Sequence, residues 1–405
     1  MSGPIDIFRS GKLKGVKNQG PVYAWEEGRA SLFLDEISFG GARGGILCYY
    51  NPPVHQVGNP GLDAYHAALD EIFENKLDEW SFLIFYGGCD PVHAGGDLKE
   101  SLNRLTETIE KRKELEKEGR PQDEIEALYA WGDKRIEKGV GLYKKVRQVS
   151  QHMRTLAICG GGTRFGGSAE ITLMTDVLIG DSRSGMCFSE AQIGLIPGWA
   201  GVGRSYTKAG YLNAKFMAST SREVKAADLK ACGIYNTVVE VAQSFPRKER
   251  TDDPQKDKQR YAEALQAHND EVGALLAPAA LELATCPKHQ IPVLTGKDRK
   301  VLATEREIEE EVARRVDPMN YEGLWGKPLK EVKEEIKKLG RPLAPQSIKE
   351  LKRLFETYPE DRFDEAKFVE DEKQADSRLY RDPRFKLGII ATLEQKVADF
   401  REVQE

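Results

Sequence analysis

The stretch CGGGTRFGGSAEITLMTD, residues 159–176, sets five glycines and one carboxylate, Glu170, where a small-residue loop runs into an apolar segment. Gly161 to Ser168 spells GxxxxGGS, one residue from the GxxxxGK[ST] loop that cradles phosphates, but Gly167 stands where that loop has its lysine. Without that fixed positive charge, and with no acidic strand of the Walker type downstream, nucleotide hydrolysis is a poor fit. A second junction of the same kind, HAGGDLKE (93–100), again puts glycines where a backbone must approach something closely. At a helix start the backbone N–H groups point outward with the positive end of the helix dipole behind them. Two such junctions can converge on one oxygen, which suits a thioester carbonyl that gains negative charge as it becomes an enolate. Glu170 and Glu190 stand nearby in sequence, and a carboxylate pair can hold a water and shuttle its proton. The plainer alternatives are glycines that serve only tight packing and a Glu190 that is a buried, hydrogen-bonded structural carboxylate. His93, the one histidine in either motif, is open to an acid–base role, a substrate contact or a loop-stabilising role.

These loops need a scaffold, and the pattern around them alternates strand and helix. ASLFLDEI (30–37), GGILCYY (44–50), SFLIFYGG (81–88), TLAIC (155–159), VLIG (177–180) and MCFSE (186–190) read as strands. Leu62, Tyr65, Leu69, Ile72, Phe73 and Leu77 recur at helical spacing, and charged helical stretches follow Leu98 and Pro121, the second reaching about Gln151. AADLKACGIYNTVVE (226–240) reads as helix, glycine turn and strand. The alternation predicts an α/β fold whose strands cross over through helices. Near 243 the character shifts to charged helix, including REIEEEVARR (306–315) and KPLKEVKEEIKKLG (327–340), the latter with Leu329, Val332, Ile336 and Leu339 on one face. The expected organisation is an α/β core over 1–240 with a longer helical connection at about 100–152. A charged, mostly helical insertion over 241–340 and C-terminal helices over 341–405 follow, and SFPRKERTDDPQKDKQ (244–259) is expected to be a mobile surface loop.

The bulk numbers narrow the field. Lys+Arg 60 against Asp+Glu 65 gives a net charge of −5, so no global basic field recruits nucleic acid. No apolar run approaches the ~20 residues that span a bilayer, so a soluble protein with no membrane partner is expected. The six cysteines are scattered with no CxxC pair, and the opening MSGPIDIFRS does not read as a secretory leader, so a reduced, cytoplasmic setting is expected. CPKH (286–289) has ligand-like spacing but lacks a second half, so no metal site is expected.

Three segments together resemble the crotonase (enoyl-CoA hydratase/isomerase) superfamily. HAGGDLKE looks like its first oxyanion segment, GTRFGGSAEITLMTD like the second, GxxxGGGxxLxxxxD, and FSEAQIGLIPGWAGVGR like the xxPExxxGLxPGxGGxxR segment that follows. The likeness extends more weakly from about Gly45 to Glu240 and resumes near 345–400, where FKLGIIATLEQKVADF looks like the terminal helices. The resemblance implies a repeated ββα spiral core with a mostly helical C-terminal part serving oligomer contact and active-site cover. It implies backbone N–H donors at Gly96 and Gly167, catalytic carboxylates at Glu170 and Glu190, and CoA-side positions at Lys99 and Ala94. It implies an acyl-CoA thioester as substrate, with coenzyme A carried by the substrate rather than as a separate cofactor, and a homotrimer or homohexamer. The activity it implies is addition of water to an enoyl-CoA. A ring-opening C–C hydrolase of a cyclic β-oxoacyl-CoA is the nearest rival, and a catalytically silent scaffold or binding subunit the rival of another class. The chain departs from the family pattern at His93, where an aromatic is usual, at Ser189, usually proline, and at Ser168, usually glycine.

Overall fold

The computed structural model describes residues 3–248, 251 and 253–401. Its chain divides into two compact units: Met1–Gly95, Leu142–Met186 and Val224–Lys300 form the first, and Gly96–Gly141, Cys187–Glu223 and Val301–Glu405 the second. The sequence-based boundaries at 240 and 340 do not follow this division, because each unit is assembled from three separated stretches.

The first unit is built on a seven-stranded sheet. From one edge it runs Lys17–Glu27, Ala30–Phe39, Ala42–Tyr50, Phe82–Tyr86, Arg154–Cys159, Val177–Asp181 and Thr237–Val239. The first three strands pair antiparallel, and the remaining pairings are parallel, as expected where helices carry the crossovers. The Phe82–Tyr86 and Arg154–Cys159 strands are almost wholly apolar because both faces are covered. Side chains alternate between the faces, so Phe82, Ile84 and Tyr86 join one apolar cluster with Leu156, Ile158, Val177 and Ile179. The edge strand Lys17–Glu27 escaped sequence reading because its residues alternate between exposed and half-buried positions and carry no apolar run.

The same cluster contains Val272, Leu276, Ala277, Ala280, Leu281 and Ala284, all from the Pro254–Thr285 helix. The first part of the 241–340 segment is therefore a structural wall of the sheet. Charged residues dilute the helix's apolar stripe, so mean composition concealed it. Its C-terminal end is tied down by Arg154, whose Nη1 donates to the Cys286 carbonyl at 2.8 Å. The expected loop over 244–259 is corrected from Pro254 onward, where Asp253 caps the helix by accepting the amides of Gln255 and Lys256. Glu249, Arg250 and Asp252, inside that expectation, lie outside the described residues.

The second unit is mostly helical. Glu365–Leu379 packs against Gly201–Ala209, and buried Glu372 accepts the Val202 and Gly203 amides at 3.3 and 2.9 Å. These are N–H groups that the start of a helix leaves without an internal partner. Asp376 takes the Ile196 amide at 3.2 Å, so one helix clamps the whole GLIPGWAGVGR segment. We expect Glu372→Ala to cost about 1–3 kcal/mol through those stranded buried amides, read as a lowered denaturant midpoint. An unchanged midpoint would show that the clamp contributes nothing. The helix expected over 327–340 is shorter, Lys333–Leu339, yet Leu329, Val332, Ile336 and Leu339 still share one cluster with Tyr321 and Val397. Among the described residues no helix is long and apolar enough to cross a membrane.

Candidate functional site

The two small-residue junctions meet inside the first unit through a short second sheet. There Val92–His93 runs parallel to Thr163–Phe165, with His93 opposite Arg164. The chain then turns at Gly166, whose φ of 48° and ψ of −127° an L side chain rarely tolerates, and enters the Gly167–Leu173 helix. The facing residue is Gly95: a Cβ there would lie 2.8 Å from the Gly167 nitrogen and 2.8 Å from the Phe165 carbonyl oxygen. Ser168 Oγ donates to the Ala94 carbonyl, fastening one junction to the other. Ser168, which stands where the resemblance implies glycine, thus has a structural task.

The Asn51–Val57 loop closes the other side. Ala94 N–H donates to the Val54 carbonyl at 2.6 Å, and Val57 N–H to the Gly95 carbonyl at 3.0 Å. Of the residues expected to act, His93, Ala94, Gly167 and Glu170 belong to this unit. Glu170 is buried in the first turn of its helix, one turn from the Gly166 bend. The Ala94 amide and carbonyl are both engaged by protein, so its expected CoA-side role rests on the resemblance alone.

Gly96, Lys99 and Glu190 belong to the second unit. Gly96 makes room for a buried arginine, since a Cβ there would lie 2.6 Å from Arg135 Nη2. Lys99 is exposed on the first turn of the Leu98–Lys117 helix, which Asp97 caps through the Lys99 and Glu100 amides. Glu190 is buried and opens a single 3₁₀ turn, Glu190–Gln192, whose carbonyl takes the Ile193 and Leu195 amides. Burial, and next the charge of Glu190, push the Cys187 thiol up to about 12. This thiol therefore stays protonated at neutral pH.

Three residues absent from the sequence reading complete the surroundings of His93. His55 stacks on His93 with ring centroids 4.8 Å apart. His55 Nε2 lies 2.9 Å from Asp90 Oδ2, a short contact that falls outside hydrogen-bond geometry. Asn269, on the Pro254–Thr285 helix, accepts the Cys89 amide at 2.6 Å and holds the loop that carries Asp90. One signal was present in the chain: Pro-Val-His occurs twice, at 53–55 and 91–93, and those are the two stacked histidines.

Burial, then Arg164 and then His55, hold the His93 imidazole well below its usual range, so the ring is neutral at pH 7. Such a group contributes stability that is present above the unfolded histidine value, about 6.5. That stability is lost as pH falls through this value towards the folded one, because the unfolded chain binds a proton the folded chain refuses. We expect thermal melts between pH 6.5 and 5 to show up to about 1.4 kcal/mol of destabilisation per pH unit from this group. His93→Phe should flatten that dependence, and an identical slope in the variant would show that His93 does not carry it.

The enoyl-CoA hydratase/isomerase family model matches residues 126–267. An enoyl-CoA hydratase from Rhodobacter sphaeroides 2.4.1 superposes with a TM-score of 0.53 at 14% identity, covering 96% of this chain and 95% of that one. A carnitinyl-CoA dehydratase from Mycobacterium thermoresistibile gives a TM-score of 0.50 at 14% identity, covering 89% of this chain and 91% of that one. At this identity the two structures speak to the fold, and the fold is shared. The chain has the fold of the crotonases, and the family-model match at residues 126–267 falls within it.

Proposed function

We propose that the protein adds water across the double bond of an enoyl-CoA thioester. The observation that carries this reading is the Gly166 bend, which starts a helix at Gly167 and buries Glu170 one turn further on. The Gly167 N–H would stabilise negative charge on the thioester oxygen as the enolate forms, and a donor aimed at developing charge is worth several kcal/mol in a dry site. Glu170 would move a proton between water and the acyl carbon. By motif, Glu190 and Gly96 hold the family's second carboxylate and second amide, and their variants test whether they act here. Lys99 and Ala94 keep the CoA-side role that the resemblance implies, and the substrate supplies coenzyme A.

Ring opening of a cyclic β-oxoacyl-CoA is the second reading. What favours it is the neutral, buried His93, a group that simple hydration does not require. A panel of linear enoyl-, cyclic dienoyl- and cyclic β-oxo-CoA esters, followed by mass spectrometry and product structure, separates the two. A gain of 18 daltons on the linear enoyl ester supports hydration, and a gain on the cyclic oxo ester alone supports ring opening. No mass change on any ester, with binding intact, would favour a silent binding subunit.

Gly166→Ala tests the helix start directly. The substitution should cost about 1–3 kcal/mol of stability through backbone strain. By turning the Gly167 N–H away it should also cost about 10²–10³ in turnover, the usual loss for one oxyanion donor. Full activity in a folded variant would remove Gly167 from the mechanism.

A further inference from the structure

His93 lines a cavity of about 50 Å³ that lies wholly within the first unit, together with Tyr49, His55, Tyr65, Arg164 and Thr172. Its Nε2 is buried and no atom of the described residues hydrogen-bonds it, while the ring's other nitrogen is held by the Asp90 backbone. A neutral imidazole that donates through Nδ1 carries its lone pair on Nε2. His55 cannot serve that lone pair. Its Nδ1 accepts the Asn51 amide at 3.2 Å, which leaves its proton on Nε2 beside Asp90, and it meets His93 only through the ring face. Arg164, opposite His93 in the short sheet, gives Nη1 to the Gly160 carbonyl at 3.0 Å and Nη2 to the Ile158 carbonyl at 3.4 Å. A guanidinium has five N–H groups, so its donor capacity exceeds those two bonds.

The cavity therefore offers one strong acceptor and one cation. A carboxylate would set its own lone pairs against Nε2, and an ammonium would be repelled by Arg164. A hydroxyl satisfies both, donating its proton towards Nε2 and turning its oxygen to the guanidinium. The volume suits about one or two water-sized groups. We propose that this cavity is a hydroxyl-binding site, in which His93 Nε2 accepts the O–H of a water or of a substrate alcohol and Arg164 faces its oxygen. The site stands apart from the proton transfers assigned to Glu170, so each can fail without the other.

The test is a high-resolution crystal structure of the full chain, alone and soaked with 3-hydroxybutyryl-CoA. In the protein alone an oxygen is expected about 2.7–3.2 Å from His93 Nε2. If it persists as water when the thioester is bound, the hydroxyl comes from solvent. If the ligand's own hydroxyl replaces it, the hydroxyl comes from substrate. A dry Nε2, or one bonded to a protein side chain, in both crystals overturns the proposal. Oxygen-17 relaxation dispersion gives a second reading in solution: the wild type should hold a long-lived internal water that His93→Phe lacks. Both crystal readings use the unmutated protein, so they stand even if the variant does not fold.

Discussion

Glu170→Gln should lower turnover of an enoyl-CoA by about 10²–10⁴, the range for loss of a positioned proton-transfer group. The KM for the thioester should stay within a few-fold, because glutamine keeps the volume and hydrogen-bonding shape of the side chain and removes only its titrating oxygen. Glu170 is 3% exposed, on a helix whose first residue packs against Gly95, so the amide can be accommodated without opening the site. Lost turnover with bound CoA ester intact, shown by calorimetry, identifies a group working on the reacting atoms. Retention of full activity would end the carboxylate mechanism, and parallel loss of binding would reduce Glu170 to a structural part. Glu190→Gln, measured alongside, reports separately on the second motif carboxylate.

The largest effect on stability is expected in the Pro254–Thr285 helix. Leu276 is fully buried in the apolar cluster beside the sheet, whereas its neighbour Leu275 is 43% exposed. Leu276→Ala removes buried methyl groups and leaves a cavity between helix and sheet, a change that costs about 2–5 kcal/mol. Leu275→Ala, one residue away, should stay within about 0.5 kcal/mol. Chemical denaturation of the pair reads the difference as a shift in midpoint at constant slope. Equal midpoints would mean that the helix is an appendage after all. The pair also tests the positioning of the Asp90 loop, since Asn269 of the same helix accepts the Cys89 amide.

Local pattern was a good guide wherever a face was plainly apolar or plainly periodic. The strands at 30–39, 42–50, 82–86, 154–159 and 177–181 and the helix Asn59–Asn75 all fall where runs and spacings pointed. The glycines of both small-residue junctions were legible for the same reason: a backbone that must turn at Gly166, or pass close by at Gly95, writes its need directly into residue type. Mixed signals misled. The long helix hides its buried stripe among charges, and the edge strand Lys17–Glu27 buries too little to show a period.

The residues around His93 could not be read in this way. Taken alone, the sequence determines that a small-residue loop ends in a helix carrying Glu170, and that His93 precedes a second such loop. The tertiary structure decides that His93 pairs with Arg164, stacks on His55 and borrows the Asp90 carbonyl, and that Asn269 steadies that loop from 180 positions away. The reason is physical. Periodicity and turn chemistry report contacts between near neighbours along the chain, whereas burial, charge proximity and an unshared lone pair arise only when distant segments are packed together.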